Sequence, residues 1–443
     1  MTSERSLTRR EFVATGAAIG AAGLLAPRVL AGRVGRVKAS ELRVGVIGCG
    51  GRGTGAVVQA LSADPGAVLW AMGDLFPEKI ESCLGHVRSA MEELDKEDSD
   101  GGWNKKIQVP DDRRFVGLDS YAGVLRSEVD VVLLTTPPAF RPRHLMSSIG
   151  AGRHVFCEKP VAVDAPGLRD VFEASRRAEA AGLSLMSGFC WRYQDQVKEC
   201  FEHLAAGGVG ELHTIQTTYN TTGWVAPHPR QDGWSDTEFQ LRNWQYFTPI
   251  SGDHIVEQAV HAIDWIGWAM GDQPPERCWA VGGRSTRPDT PETGNVWDNF
   301  SITYEYPGGV RAYHMCRHWP NTPSDNSAYF IGSEGRCVMQ PWNGRHEVMG
   351  ERPWKGTAVG NDMYQREHDV LFKSIREGKP LNDGERMSKT TLLALMGRMA
   401  AYTGQVVTWD QAMGSQENLN PGAWAMGPRE TPKVAVPGTK PLT

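Results

Sequence analysis

Two short stretches of this chain carry more chemistry than a core requires. The first is Glu158-Lys159-Pro160, which follows the apolar-ended run "GRHVF". A lysine followed by proline at the end of a strand is poor core material, because the ammonium is costly to bury and proline removes a ladder donor. It suits a site, where an amine can hydrogen-bond a ligand or relay a proton. The second stretch is "SGDHIVEQAVHAIDWIGWAMG", residues 251–271. With a helix advancing about 100° per residue, His254, Glu257, His261 and Asp264 share one narrow face, and Ile255, Val256, Ala259, Val260, Ile263 and Ile266 take the other side. Histidine titrates near neutrality and a carboxylate beside it can orient or retune it, so the stripe fits proton transfer. The plainer reading is a solvated helix face capped by Ser251 or Asp253. A metal is not expected, because His and Glu on one helix face are more often catalytic or solvated than ligating.

Both stretches need elements that bring them to one place. "LRVGVIGCG" is an apolar run of buried-strand type, and it leads into Gly48-x-Gly50-x-x-Gly53, with Gly51 and Arg52 inside the turn. Glycines there let the backbone approach a pyrophosphate at the start of the helix "GAVVQALSA". A second strand, "AVLWAMGD", ends at Asp74. An acidic residue about 20 positions beyond the glycines accepts hydrogen bonds from ribose hydroxyls and repels a 2′-phosphate. The cofactor is therefore expected to be NAD, with Arg52 leaving NADP as the alternative. "VDVVLLTTPP" and "RHVFCEKP" read as further buried strands, with the helix "HLMSSIGAG" between them. In open parallel sheets the carboxyl ends of the strands face one crevice, which places Thr136, Pro137, Glu158 and Lys159 against the cofactor. An ammonium beside an oxidised nicotinamide is pushed towards the neutral amine. The polar stretch "MEELDKEDSDGGWNKKIQ", residues 91–108, reads as a surface loop.

The glycine motif, the "TTPP" strand end and "AGRHVFCEKP" together resemble the Gfo/Idh/MocA oxidoreductases, over about residues 40 to 410. The resemblance implies a Rossmann domain followed by an α/β domain with a large open, mostly antiparallel sheet that covers the cofactor and mediates oligomers. It also implies a functional Lys159. Members carry Asp-x-x-x-His on the helix facing nicotinamide and substrate, and Glu257-x-x-x-His261 matches that spacing with the longer carboxylate. His261 becomes the leading base, with Lys159 and Glu257 as its partners. His254 lies where members similar to NAD-dependent glycosidases place a functional histidine. Arg141 is a departure, standing where many members have histidine.

The expected domains are a signal and linker over 1–39, a Rossmann domain over 40–162, a substrate and oligomerisation domain over 163–413, and an irregular tail over 414–443. Residues 220–247 form a long aromatic-rich loop whose Trp224, Trp234, Trp244, Tyr246 and Phe247 can stack on sugar faces. Trp244 and Tyr246 are taken as substrate contacts. Arg192 and Tyr193, in "GFCWRYQ", suit contacts to hydroxyls or carboxylates, with a domain brace as the alternative for Arg192. "QREHDVLFKSIREGKP" and "SKTTLLALMGRMAAYTGQ" read as helices completing the second domain.

The first forty residues read as an address. Arg9 and Arg10 precede a small-residue apolar stretch too short to span a bilayer comfortably, similar to a twin-arginine export signal. That route moves folded proteins, so a periplasmic or secreted enzyme would take up its cofactor first. The net charge of −5 gives no sign of a nucleic-acid partner. The eight cysteines include no close pair, which argues against structural zinc. The expected activity is hydride transfer between a sugar or polyol carbon and nicotinamide, in a homodimer or homotetramer. Two alternatives stand beside it. One is a redox-neutral glycoside-processing enzyme that oxidises, eliminates, adds water and reduces again; the other is a sugar-binding protein that keeps a dinucleotide without turnover.

Overall fold

The computed structural model describes residues 41–98, 102–420, 424–439 and 441–442. The export segment expected over 1–39 lies outside these residues. The first sheet holds β1 (Leu42–Ile47), β2 (Ala67–Asp74), β3 (Arg114–Val116), β4 (Val131–Leu134), β5 (His154–Cys157) and β6 (Leu185–Ser187). Their order is β3-β2-β1-β4-β5-β6, and every pair is parallel. Such a sheet is covered on both faces, so its strands read as continuous apolar runs. In β4, Val131 and Leu133 enter one core, and Val132 and Leu134 enter the other. The strand order reverses between β1 and β4, where a crevice opens at the carboxyl ends.

The second sheet holds β7 (Leu212–Thr221), β8 (Arg277–Gly283), β9 (Asn299–Glu305), β10 (Arg311–His318), β11 (Ala328–Gly332), β12 (Gly335–Gln340), β13 (Arg345–Gly350), β14 (Trp354–Lys355) and β15 (Val407–Thr408). The order is β14-β13-β12-β11-β7-β10-β9-β8-β15. Only β7 and β10 pair in parallel among them. One face packs on the helices Val260–Ala269 and Gly384–Thr403, and the alternation of β10 leaves Tyr313 and Met315 exposed on the other.

Four expectations need correction. The first sheet continues through the helix Ala165–Ala180 to β6, well past residue 162, because Val155, Phe156 and Cys157 pair with Leu185, Met186 and Ser187. The stretch 91–108 is not simply a loop: Met91 to Glu97 ends the long helix Pro77–Glu97, and the buried Lys106 donates to the carbonyls of Leu61 and Asp64. The helix Met363–Glu377 packs on the first sheet rather than completing the second domain. Its Leu371, Phe372 and Ile375 fill the same core as β1, and Arg376 grips Asp64 at 2.6 Å. Residues 251–271, finally, are not one helix. Gly252 and Asp253 have φ of 81° and 76°, and the chain forms Thr248–Ser251, His254–Glu257 and Val260–Ala269 in turn.

Candidate active site

The crevice at the ends of β1, β2 and β4 is a cleft of about 720 Å³, lined by Gly48, Gly50, Gly51, Arg52, Asp74, Thr135, Thr136 and Pro137 among others. Gly48 takes φ +99°, and a Cβ there would collide with the backbone of Thr135 and Thr136. A Cβ on Gly53 would be driven into the Gly48 carbonyl, whereas Gly50 and Gly51 face open space. The helix Gly51–Ala63 starts at Gly50 with no side-chain cap, so its first backbone donors are left for a ligand. Asp74 accepts from the Cys49 N–H at 2.6 Å and the Phe76 N–H at 2.9 Å. Burial raises its carboxyl above the usual range against those two donors. A bare glycine cradle, free helix donors and a carboxylate at the next strand end fit the pyrophosphate and adenosine ribose of NAD.

Arg52 lines the cleft, and its guanidinium is engaged by protein partners. Nε donates to Glu158, Nη1 to Gln59 at 2.8 Å and Nη2 to Glu367 at 2.9 Å. Burial alone would lower it, and the two carboxylates outweigh burial and raise it. Glu158 is correspondingly a buried anchor: its other oxygen accepts from the Lys159 N–H at 3.1 Å. Arg141, also buried, donates to the Pro160 carbonyl at 2.5 Å and so holds the cis Lys159–Pro160 link. His144, one turn further on, does line the cleft, with Nδ1 3.3 Å from Thr136 Oγ1. Burial, then Arg143 and Arg141, push its pKa down to about 3.

Lys159 leaves the end of β5 and donates to the Glu257 carbonyl at 2.6 Å, with Glu257 Oε1 3.7 Å away. His261 lies at the start of the next helix and stacks on Trp191, with centroids 4.8 Å apart. Burial, and then the Lys159 ammonium, hold the imidazole well below its ordinary pKa. His261 Nδ1 and Glu257 Oε2 are buried without a hydrogen-bond partner among the described residues. Lys159, Glu257 and His261 are thus brought together, in an environment that keeps the histidine neutral at physiological pH.

The rest of the stripe points inward for other reasons. His254 has no exposed surface: Nδ1 lies 3.2 Å from the Trp297 carbonyl and 3.3 Å from Asp253, and the ring lies against His318 at 4.3 Å. It cannot touch a substrate in this arrangement. His318 in turn bonds Gln258 at 2.7 Å. Asp264 receives Arg192 at 2.7 and 2.9 Å and the Thr390 hydroxyl at 2.8 Å. Arg192 therefore braces elements rather than meeting substrate, and it also reaches Asp272 at 3.4 Å. Tyr193 packs beside the core of the first sheet, and Tyr246 is buried with its hydroxyl on the Val225 carbonyl at 2.6 Å. Trp244 does line a cleft, the dinucleotide one. Among the described residues no group of three or more His, Cys, Asp or Glu is placed to hold a metal.

Several site residues were missed because they arrive by tertiary packing. Trp191, Arg242 and Glu367 carry no local motif. The exposed Trp342, set edge-on to Trp191 at 5.3 Å, sits in a hairpin connection with no flag beyond its type. His144 carried a weak signal, being three residues from the position where histidine was sought.

Comparison with known proteins bears on the family and the fold. Residues 42–189 match the oxidoreductase family with an NAD-binding Rossmann fold, and residues 197–338 match the GFO/IDH/MocA C-terminal domain. The chain is 26% identical to trans-1,2-dihydrobenzene-1,2-diol dehydrogenase of Mus musculus over 59% of its own length and 75% of that protein. It is 25% identical to 2,7-anhydro-N-acetylneuraminate hydratase of Escherichia coli (strain K12), over 46% of this chain and 51% of the other. Among solved structures, aldose-aldose oxidoreductase from Caulobacter crescentus complexed with glycerol has TM-score 0.62 and 18% identity, covering 83% of this chain and 99% of that one. Levoglucosan dehydrogenase in complex with NADH and levoglucosan has TM-score 0.62 and 17% identity, with the same coverage of both chains.

Proposed function

The chain belongs to the Gfo/Idh/MocA oxidoreductase family, with an NAD-binding Rossmann domain, and from that premise we propose that it oxidises or reduces a hydroxyl-bearing carbon of a sugar or polyol. The observation that carries this reading is the meeting of Lys159 and Glu257 with a buried, neutral His261. NAD supplies the acceptor or donor of the hydride. His261 takes the hydroxyl proton as the C–H bond breaks. Lys159, fixed by the Glu257 carbonyl, holds the reacting oxygen and steadies negative charge there. Glu257 completes the site with a free carboxylate oxygen. The test is NADH formation at 340 nm with inositols, levoglucosan and aldoses, comparing the natural chain with His261→Asn and Lys159→Met. Turnover of any of these that survives both substitutions would remove the assignment.

A second reading is favoured by the likeness to the Escherichia coli hydratase. A sugar derivative would be converted with no net change in cofactor oxidation state. Product formation without accumulating NADH distinguishes it from a net dehydrogenase, and sugar binding without any product would leave the binder.

Export through the twin-arginine route is part of the same proposal, resting on Arg9, Arg10 and the apolar stretch after them. Arg9→Lys with Arg10→Lys is expected to leave the protein in the cytoplasm. So is self-association through the open sheet face. Register places Val281, Tyr313, Met315 and Ile331 on that one face, all exposed. Light scattering should give a dimer or tetramer.

A further inference from the structure

We propose that the segment 224–245, tied down by residues 424–431 of the C-terminal tail, roofs the adenosine end of the cleft and makes NAD(H) a resident group rather than an exchanging one. This rests on the dinucleotide site described above and adds to it the residues that close it. Across the cleft from Gly50 and Gly51 the lining is His228, Gln231, Trp234, Leu241, Arg242, Trp244 and Gln245, all from beyond β7. Of this loop's aromatic residues, expected from sequence to wall a sugar, Trp234 and Trp244 line the dinucleotide cleft.

Arg242 bolts the roof to the floor. Its Nη1 meets Glu78 at 2.6 Å and its Nε meets Glu238 at 3.0 Å. The guanidinium lies 3.8 Å from the Phe76 ring centre and 4.8 Å from that of Trp234. Phe76 and Glu78 follow directly on Asp74, so the fastening stands at the ribose end. Both carboxylates compensate the arginine charge, which leaves little attraction for a 2′-phosphate beside Asp74.

The tail backs this roof. Thr237 N–H donates to the Gly427 carbonyl at 3.1 Å, Gln240 Nε2 to the Arg429 carbonyl at 3.0 Å, and Arg429 N–H to Asp236 at 3.2 Å. Arg429 covers Trp424 at 3.8 Å, and Trp424 packs on Phe140 at 4.9 Å. Phe140 lines the cleft from the first domain. A dinucleotide leaving the cleft must therefore release Arg242 from Glu78 and Phe76, and displace a segment held from behind. With such an enclosure a single hydroxyl substrate reduces the bound NAD once per chain, and further turnover needs a second, carbonyl substrate to reoxidise it in place, so the signal at 340 nm stops at about one equivalent of enzyme.

The test uses the whole chain loaded with NADH and freed of excess. Adding a large excess of NAD⁺ starts a chase, followed by loss of the tryptophan-to-NADH energy transfer. Release from the natural chain is expected over minutes or longer. Trp424→Ala and Arg242→Ala are expected to release about tenfold faster or more, a change of about 1.4 kcal/mol per decade, with unchanged far-ultraviolet circular dichroism and, for Trp424→Ala, which stands behind the cleft lining, unchanged loading. Release from the natural chain within a second, or at one rate in all three proteins, overturns the roof and leaves the NAD site intact. Failure of the natural chain to load at all overturns both.

Discussion

In the proposed reaction Lys159 and His261 divide the proton work, and their coupling has a measurable sign. Burial depresses the imidazole first, and the ammonium depresses it further. A base must be unprotonated to act, so the acid limb of kcat/KM should lie below the free imidazole value of about 6.5. Lys159→Met removes the charge, so it is expected to move that limb to higher pH as well as lower turnover about 10²–10⁴-fold. An unmoved limb in the pH–rate profile would mean that His261 is not the titrating base. Gly53→Ala tests the other half of the site: its Cβ meets the Gly48 carbonyl, and NADH binding followed by fluorescence should be lost. These residues were legible in the sequence because glycine spacing, Asp74, Glu158-Lys159-Pro160 and Glu257-x-x-x-His261 are each local patterns. Arg242 and Glu367 were not, because each reaches the cleft from an element far along the chain, and nothing around them marks which face will meet β1 or β2.

At the scale of elements, the helical stripe shows where periodicity stops informing. His254, Glu257, His261 and Asp264 do project together on an ideal helix, but the left-handed backbone at Gly252 and Asp253 and the break after Glu257 give them separate partners. Asp253 caps the short helix, with its side chain accepting from His254 N–H at 2.5 Å. Asp264, expected to share the catalytic face, instead ties the helix Val260–Ala269 to the segment after β6 through Arg192. Both partners are nearly enclosed, with side chains 10% and 1% exposed. Removing one partner of such a pair leaves the other charge uncompensated, at a cost of about 3–5 kcal/mol. Arg192→Met is therefore expected to lower the urea midpoint strongly while the folded fraction keeps its KM and its NADH affinity. A raised KM with unchanged stability would return Arg192 to the substrate. The parallel strands of the first sheet were readable as uninterrupted apolar runs ending in turn residues. The helix Met363–Glu377 was readable as a helix, but its amphipathic face does not say which of two sheets it will cover.

Across the whole molecule, the buried histidines dominate the response to acid. His144 and His314 are pushed down to about 3 and His154 to about 4, by burial first in each case. His261, His318 and His368 lie well below their ordinary value, again through burial first. A histidine depressed in the folded state binds its proton only in the unfolded chain between about pH 6.5 and its folded value. Its stabilising contribution is therefore complete above pH 6.5 and is lost as pH falls. Each such group removes about 1.4 kcal/mol per pH unit across that window. Glu367, Asp74, Asp170 and Asp272, raised by burial, act in the opposite direction, but they are four carboxyls against these six imidazoles. The urea midpoint should accordingly be level from pH 8 to 7 and fall steeply between pH 6 and 5. A midpoint unchanged down to pH 5 would show that these imidazoles are solvated in the folded protein. That result would undo the neutral His261 on which the proton transfer depends, because the same burial argument places all six.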